Sequence, residues 1–136
     1  MSKIRLPAKI ENLKKLIQFV SDRAKRQKFT QKRIKAIELA TEEALVNIFN
    51  YAYPENTGDV EVRCKMDDDT RFTLEILDNG IPFDIRSISE PDLTENISNR
   101  KIGGLGIFLM RKMVDEVQYH RDGKSNILTL IIHNIG

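Results

Sequence analysis

The period of the apolar positions changes several times along the chain, and each change marks an element. Residues 2–6 alternate apolar with basic or polar and predict a short first strand. Pro7 then suits the first turn of a helix, where its missing N–H costs little. Ile10, Leu13, Ile17, Val20 and Ala24 recur at helical spacing and predict a helix from about Ala8 to Gln27. Thr30 is positioned to cap a second helix, whose stripe is Ile34, Ile37, Ala44, Leu45 and Ile48 and which Pro54 stops near Tyr53. From Asp59 the period is two: Val60, Val62, Cys64 and Met66 alternate with Glu61, Arg63 and Lys65, then Phe72, Leu74 and Ile76 follow a turn at residues 67–70. The segment Asp78–Phe83 leaves the sheet, because Gly and Pro break a ladder. A long polar stretch at residues 84–102 reads as a functional or mobile loop rather than neutral connection. Ile107, Met110, Val114 and Val117 restart a helical period, and strands over Val117–Arg121 and Asn126–His133 close the chain around Asp122-Gly123-Lys124. This order predicts one domain over residues 1–136: an α+β two-layer sandwich with a mixed, mostly antiparallel sheet and helices on one face.

Composition narrows the class. The 22 Lys+Arg nearly cancel the 20 Asp+Glu, which speaks against a nucleic-acid partner, since phosphate backbones need clustered positive charge. The apolar run Leu130–Ile132 is far short of the roughly 20 residues a membrane span needs, and the first residues have no apolar leader. Cys64 is the single cysteine, so no internal disulfide or cysteine metal site can form. The expectation is a cytoplasmic domain without a membrane or nucleic-acid partner.

Three places carry candidate chemistry. Glu43 and Asn47, four apart on the second helix, lie about 40° apart on one face, and Ala36 and Ala40 continue that face as small residues that leave room for a ligand. Glu can serve as a general base, and an Asn carbonyl oxygen is a hard ligand for Mg²⁺. Asp78 at a strand end can accept a purine amine, with Gly80 letting the base lie against the backbone. Gly103, Gly104 and Gly106 precede a helix, and free N–H groups there favour phosphate, with Arg100 and Lys101 just upstream. Each has an ordinary alternative: a solvated helix face, an Asx turn, a packing hinge, plain loop solubility. Gly123-Lys124-Ser125 imitates the end of a Walker loop, but position 118 is Gln and the segment lies between strands. His120 and His133 lack a second ligand at metal spacing. In combination, a metal ligand, a purine reader and a phosphate cradle make a Mg-ATP site.

The stretch Glu38–Asn47 resembles the N box of the GHKL ATPase/kinase superfamily, Asp78-Asn79-Gly80-Ile81-Pro82-Phe83-Asp84 its G1 box, and Gly103-Gly104-Leu105-Gly106-Ile107 its G2 box. The Pro-Phe-Asp continuation and Met113–Val117 are similar to the anti-sigma-factor serine kinase branch. The resemblance implies a Bergerat-type ATP-binding fold with a lid at about 84–103. It implies Asn47 as ligand to Mg²⁺ on ATP, Glu43 as general base, Asp78 on the adenine amine and Gly80 under the ring. Gly104 and Gly106 would meet the phosphates, Arg100 would add charge there, and Thr129 would be the adenine-side threonine. Asn50 stands where related sequences often have His. The implied activity is transfer of phosphate to a serine of a STAS-type antagonist, with a sigma factor or comparable protein as a second partner and homodimerisation as a further expectation. A self-phosphorylating sensor kinase is disfavoured, because no phospho-acceptor helix precedes the motifs. So is the gyrase and MutL type, because no transducer domain follows them. The rival reading is an ATP-binding module that regulates by binding alone, and a simple ATPase is a weaker third. Lys14, Lys15, Arg23 and Lys25 on the first helix are a candidate partner surface, with a solvated helix face as the alternative.

Overall fold

In the computed structural model, residues 1–54, 58–67, 70–84 and 110–134 are described. Strand β1 (Ser2–Pro7) leads through a 3-10 turn (Ile10–Asn12) into α1 (Leu13–Arg26) and α2 (Gln31–Tyr51). Strands β2 (Asp59–Asp67), β3 (Arg71–Asp78), β4 (Glu116–Asp122) and β5 (Ser125–His133) follow. The sheet order is β1-β2-β3-β5-β4, and all four described pairings are antiparallel. The α+β sandwich read from the sequence is therefore the fold, with a sheet more uniform than mixed. Residues 84–109, which include the expected lid and glycine cluster, lie outside the described residues except for Asp84.

The sheet buries mainly one face, as its alternation requires, with Ile131 a buried exception on the other. Val60, Val62 and Cys64 on β2, Phe72, Leu74 and Ile76 on β3, and Leu128, Leu130 and Ile132 on β5 point to the helices. The intervening positions Glu61, Arg63, Glu75 and Thr129 occupy the other face. Leu16, Phe19, Val20 and Ala24 of α1 and Ile37, Ala40, Ala44, Leu45 and Ile48 of α2 complete the core. Phe29, between the helices, meets Phe72 edge-on at 5.7 Å. A helical turn at residues 110–113 adds Met110 to the core.

The start of the first helix departs from the periodicity. Pro7 ends edge strand β1 opposite Asp59, where a residue without an N–H is tolerated. Its carbonyl accepts hydrogen bonds from the Lys9 N–H (2.8 Å) and the Asn12 side chain (2.8 Å), so the chain turns tightly before α1 begins at Leu13. Ile10 falls in that turn and stays 69% exposed, outside the stripe it was expected to open. The second helix follows its signals: the Thr30 hydroxyl accepts from the Arg33 N–H at 3.2 Å, and the last turn ends before Pro54.

Leu74 is fully buried at the centre of β3. Leu74→Ala should lower the unfolding free energy by about 2–5 kcal/mol in urea denaturation, with little change in slope.

Candidate active site

Helix α2 and the exit of β3 meet at one corner. The Ile81 N–H donates to the Ala52 carbonyl at 2.9 Å, so the turn after β3 docks on the C-terminal end of α2. A Cβ built on Gly80 would stand 2.1 Å from the Ala52 oxygen, which makes glycine a steric requirement of that docking. The Tyr53 hydroxyl accepts from the Asn79 N–H (2.8 Å) and donates to the Asp59 carbonyl (2.7 Å), tying the same turn to β2.

Asn47 is only 1% exposed. Its Nδ2 donates to the Glu43 carbonyl at 2.7 Å and points toward the Glu43 carboxylate at 3.5 Å. Its Oδ1 is buried and has no hydrogen-bond partner among the described residues. An orphaned buried acceptor costs about 1–3 kcal/mol, so it calls for a ligand. A hard cation fits that oxygen by donor chemistry. Among the described residues no group of three or more His, Cys, Asp or Glu could hold a metal ion, so these residues alone do not complete a shell around such a cation. Glu43 is half-buried, and burial followed by repulsion from Glu42 pushes its carboxyl above the usual 4.5, with the Asn47 bond acting the other way. The room expected beside Ala40 is filled, since Ala40 packs into the core at 1% exposure.

Asp78 is 4% exposed at the last residue of β3. Its Oδ1 accepts from the Gly80 N–H (2.9 Å) and from Asn126 Nδ2 (2.8 Å), leaving Oδ2 without a donor among the described residues. The Asx turn and a free acceptor thus coexist on one carboxylate. Burial raises the pKa of Asp78, while Asn126, the Gly80 N–H and Arg121 oppose the rise. Ile48, Phe83, Tyr119 and Leu128 wall an apolar slot beside Asp78 and Asn126. The slot is closed down to about 10 Å³, space for one water at most, with Phe83 stacked on Tyr51 at 5.0 Å.

Thr129 is not in this constellation. It pairs with Glu75 and Gln118 and lies on the face of the sheet opposite Asp78, three residues along β5 from the level of the site. Asn126 stands there instead, paired with Asp78 across β3–β5. It shares parity with Leu128, Leu130 and Ile132, so a polar residue on the apolar side of the last strand was the signal that would have found it. Arg100, Gly104 and Gly106 lie outside the described residues. On α1, Lys14, Lys15 and Lys25 are exposed, but the Arg23 guanidinium folds over the Phe19 ring at 3.8 Å and leaves that surface. Gly123-Lys124 forms the β4–β5 turn, as expected for a segment that is no phosphate loop.

A family model for the histidine kinase-like ATPase domain matches residues 6–132. The chain belongs to the histidine kinase-like ATPase family. The resemblance read from its boxes is borne out at the level of the branch. The chain is 30% identical over 136 residues to the serine-protein kinase RsbW of Listeria monocytogenes, covering 96% of this chain and 86% of that protein. It is 27% identical over 134 residues to RsbW of Bacillus cereus, covering 95% and 83%. The fold is shared with the mycobacterial sensor histidine kinase MprB, at a TM-score of 0.54 and 15% identity over 97% of both chains. It is also shared with the histidine kinase domain of an Erythrobacter litoralis blue-light activated kinase, at a TM-score of 0.54 and 22% identity over 74% of this chain and 44% of that one. Among the described residues no helix is long and apolar enough to cross a membrane.

Gly80→Ala should force the turn off Ala52, lower stability by about 1–3 kcal/mol and weaken ATP binding. Gly123→Ala, strained by a φ of 61° but with open space around it, should cost about 1–2 kcal/mol and leave ATP binding unchanged. Urea denaturation and isothermal titration of both variants check the pair.

Proposed function

We propose that the chain is a Mg-ATP-dependent protein serine kinase of the anti-sigma type, which phosphorylates a STAS-type antagonist and holds a sigma factor or comparable protein. The observation that carries this reading is the buried, unpartnered Oδ1 of Asn47 four residues from a half-buried carboxylate with a raised pKa. The names of the curated relatives and the family's ATP-using fold support it. A helix built this way offers a metal ligand and a proton acceptor side by side.

In this reading, Asp78 accepts a hydrogen from the adenine amine through its free oxygen, and Gly80 lets the ring lie against the turn. The slot must open by movement of Phe83 or Tyr119 for a base to enter. Asn47 holds Mg²⁺ through Oδ1, while Gly104, Gly106 and Arg100 serve the phosphates. When bound, Mg²⁺ neutralises charge that builds on the phosphate oxygens. Glu43 takes the proton of the acceptor's serine hydroxyl as that oxygen bonds to the γ-phosphorus and the bond to the β-phosphate oxygen breaks, leaving ADP. The phosphoserine adds nearly two negative charges, enough to release an interface built for a neutral hydroxyl.

Glu43→Gln should reduce transfer of labelled phosphate to a STAS-type protein by about 10²-fold or more with ATP affinity retained. Glu43 must be deprotonated to act, so transfer should fall as pH drops through a point above the ordinary carboxylate value, because burial raises that carboxyl. Asp78→Asn should cost most of the ATP affinity. Partner binding and ATP affinity without transfer to any antagonist would favour regulation by binding alone.

A further inference from the structure

Asn126 is saturated. Its Nδ2 donates to Asp78 Oδ1 (2.8 Å) and to the Ile81 carbonyl (2.7 Å). Its Oδ1 accepts from the Tyr119 hydroxyl (2.6 Å), the Arg121 guanidinium (3.1 Å) and the Phe83 N–H (3.3 Å). Both amide hydrogens are used by acceptors and the oxygen by donors, so the amide has one orientation and nothing left for a ligand. Its only carboxylate partner is Asp78, and the bond always presents a donor to it. Arg121 also donates to the Gly80 carbonyl at 2.8 Å and to the Gly123 carbonyl at 3.1 Å, so the β4–β5 hairpin grips the same turn from a second side.

Building on the nucleotide reading above, we infer that Asn126 is a positioning residue for base recognition: with Tyr119 and Arg121 behind it, it fixes the Asp78 carboxylate as an acceptor and so selects a base that offers an exocyclic amine. A carboxylate buried this deeply would otherwise drift toward its protonated form, and a carboxylic acid can present a donor to a carbonyl instead. The amide donor opposes that drift, together with the Gly80 N–H and Arg121. A guanine places a carbonyl where adenine places its amine, so the same bond should separate ATP from GTP.

The charged and titratable groups around Asp78 come from several elements. Arg121 and Tyr119 face it from β4, and Tyr53 from just past α2. Arg5 of β1 and Asp59, Glu61 and Arg63 of β2 share the groove on its other side. There Arg5 pairs with Asp59 at 3.2 Å and Arg63 pairs with Glu61, so the nearby charges largely cancel. Arg121 remains as a cation, and the amide donor beside it is what Asn126→Leu removes.

The test is the carboxyl titration of Asp78 by ¹³C NMR in the ligand-free protein, joined to ATP and GTP titrations from pH 5 to 8. In Asn126→Leu the Asp78 midpoint should move up by one unit or more. The acid limb of ATP binding should follow it, and the ATP-to-GTP preference should fall at least fivefold. Tyr119→Phe, which keeps the amide but removes its shortest donor, should shift both in the same direction by less, and it serves if Asn126→Leu does not fold. An Asp78 midpoint that stays put in whichever folded variant is measured overturns the inference, whatever happens to stability. A shifted midpoint in a protein whose wild type binds no ATP keeps the positioning role and overturns the nucleotide reading instead.

Discussion

Everything in this site hangs on the docking of the β3 exit turn against the end of α2. The Ile81–Ala52 hydrogen bond and the bare Cα of Gly80 bring backbone to backbone at a distance no side chain would allow. Helix α2 is fixed along its length by the core, through Ile37, Ala44, Leu45 and Ile48. Strand β3 is central and paired on both sides. Locking the two together sets Asn47 and Glu43, which ride on the helix, relative to Asp78, which ends the strand. The site is therefore a consequence of core packing at one corner rather than of a separate binding loop.

Burial then gives these residues their chemistry. Asn47 is buried where an unpaired polar atom is expensive, yet its Oδ1 has no partner among the described residues, while the Asp78 carboxylate is held there through Oδ1 alone. A buried acceptor of this kind is a candidate position for a ligand. Glu43 and Asp78 both have raised pKa values, for the same first cause of desolvation, but their neighbours differ. Glu43 has Glu42 beside it, which raises it further. Asp78 has Asn126, the Gly80 N–H and Arg121, which resist the rise and favour the ionised form.

The fold was largely legible because the one-sided sheet writes itself as clean alternation. Val60 to Cys64 and Phe72 to Ile76 keep strict parity, Leu128 to Ile132 breaks it only at the buried Ile131, and Thr30 and Pro54 bracket α2. The first helix was less legible, since Ile10 matches the period but is carried out of the stripe by the Pro7 carbonyl, whose bonds to Lys9 and Asn12 tighten the entry. In the candidate site, Glu43, Asn47, Asp78 and Gly80 are the residues that local spacing or turn chemistry singles out. Thr129 could not be placed without the β3–β5 register, a long-range quantity that periodicity does not fix. That register brings Asn126 level with Asp78 and turns Thr129 to the other face.

The central claim is that α2 offers a metal–phosphate ligand at Asn47 while the β3 corner receives the base. Side-chain amide resonances read both ends in a single NMR titration. Metal-free ATP should shift the Asn126 amide and the Gly80 N–H, and adding paramagnetic Mn²⁺ to that complex should then broaden the Asn47 amide most strongly. An Asn47 amide untouched by Mn²⁺-ATP at saturation would contradict the account.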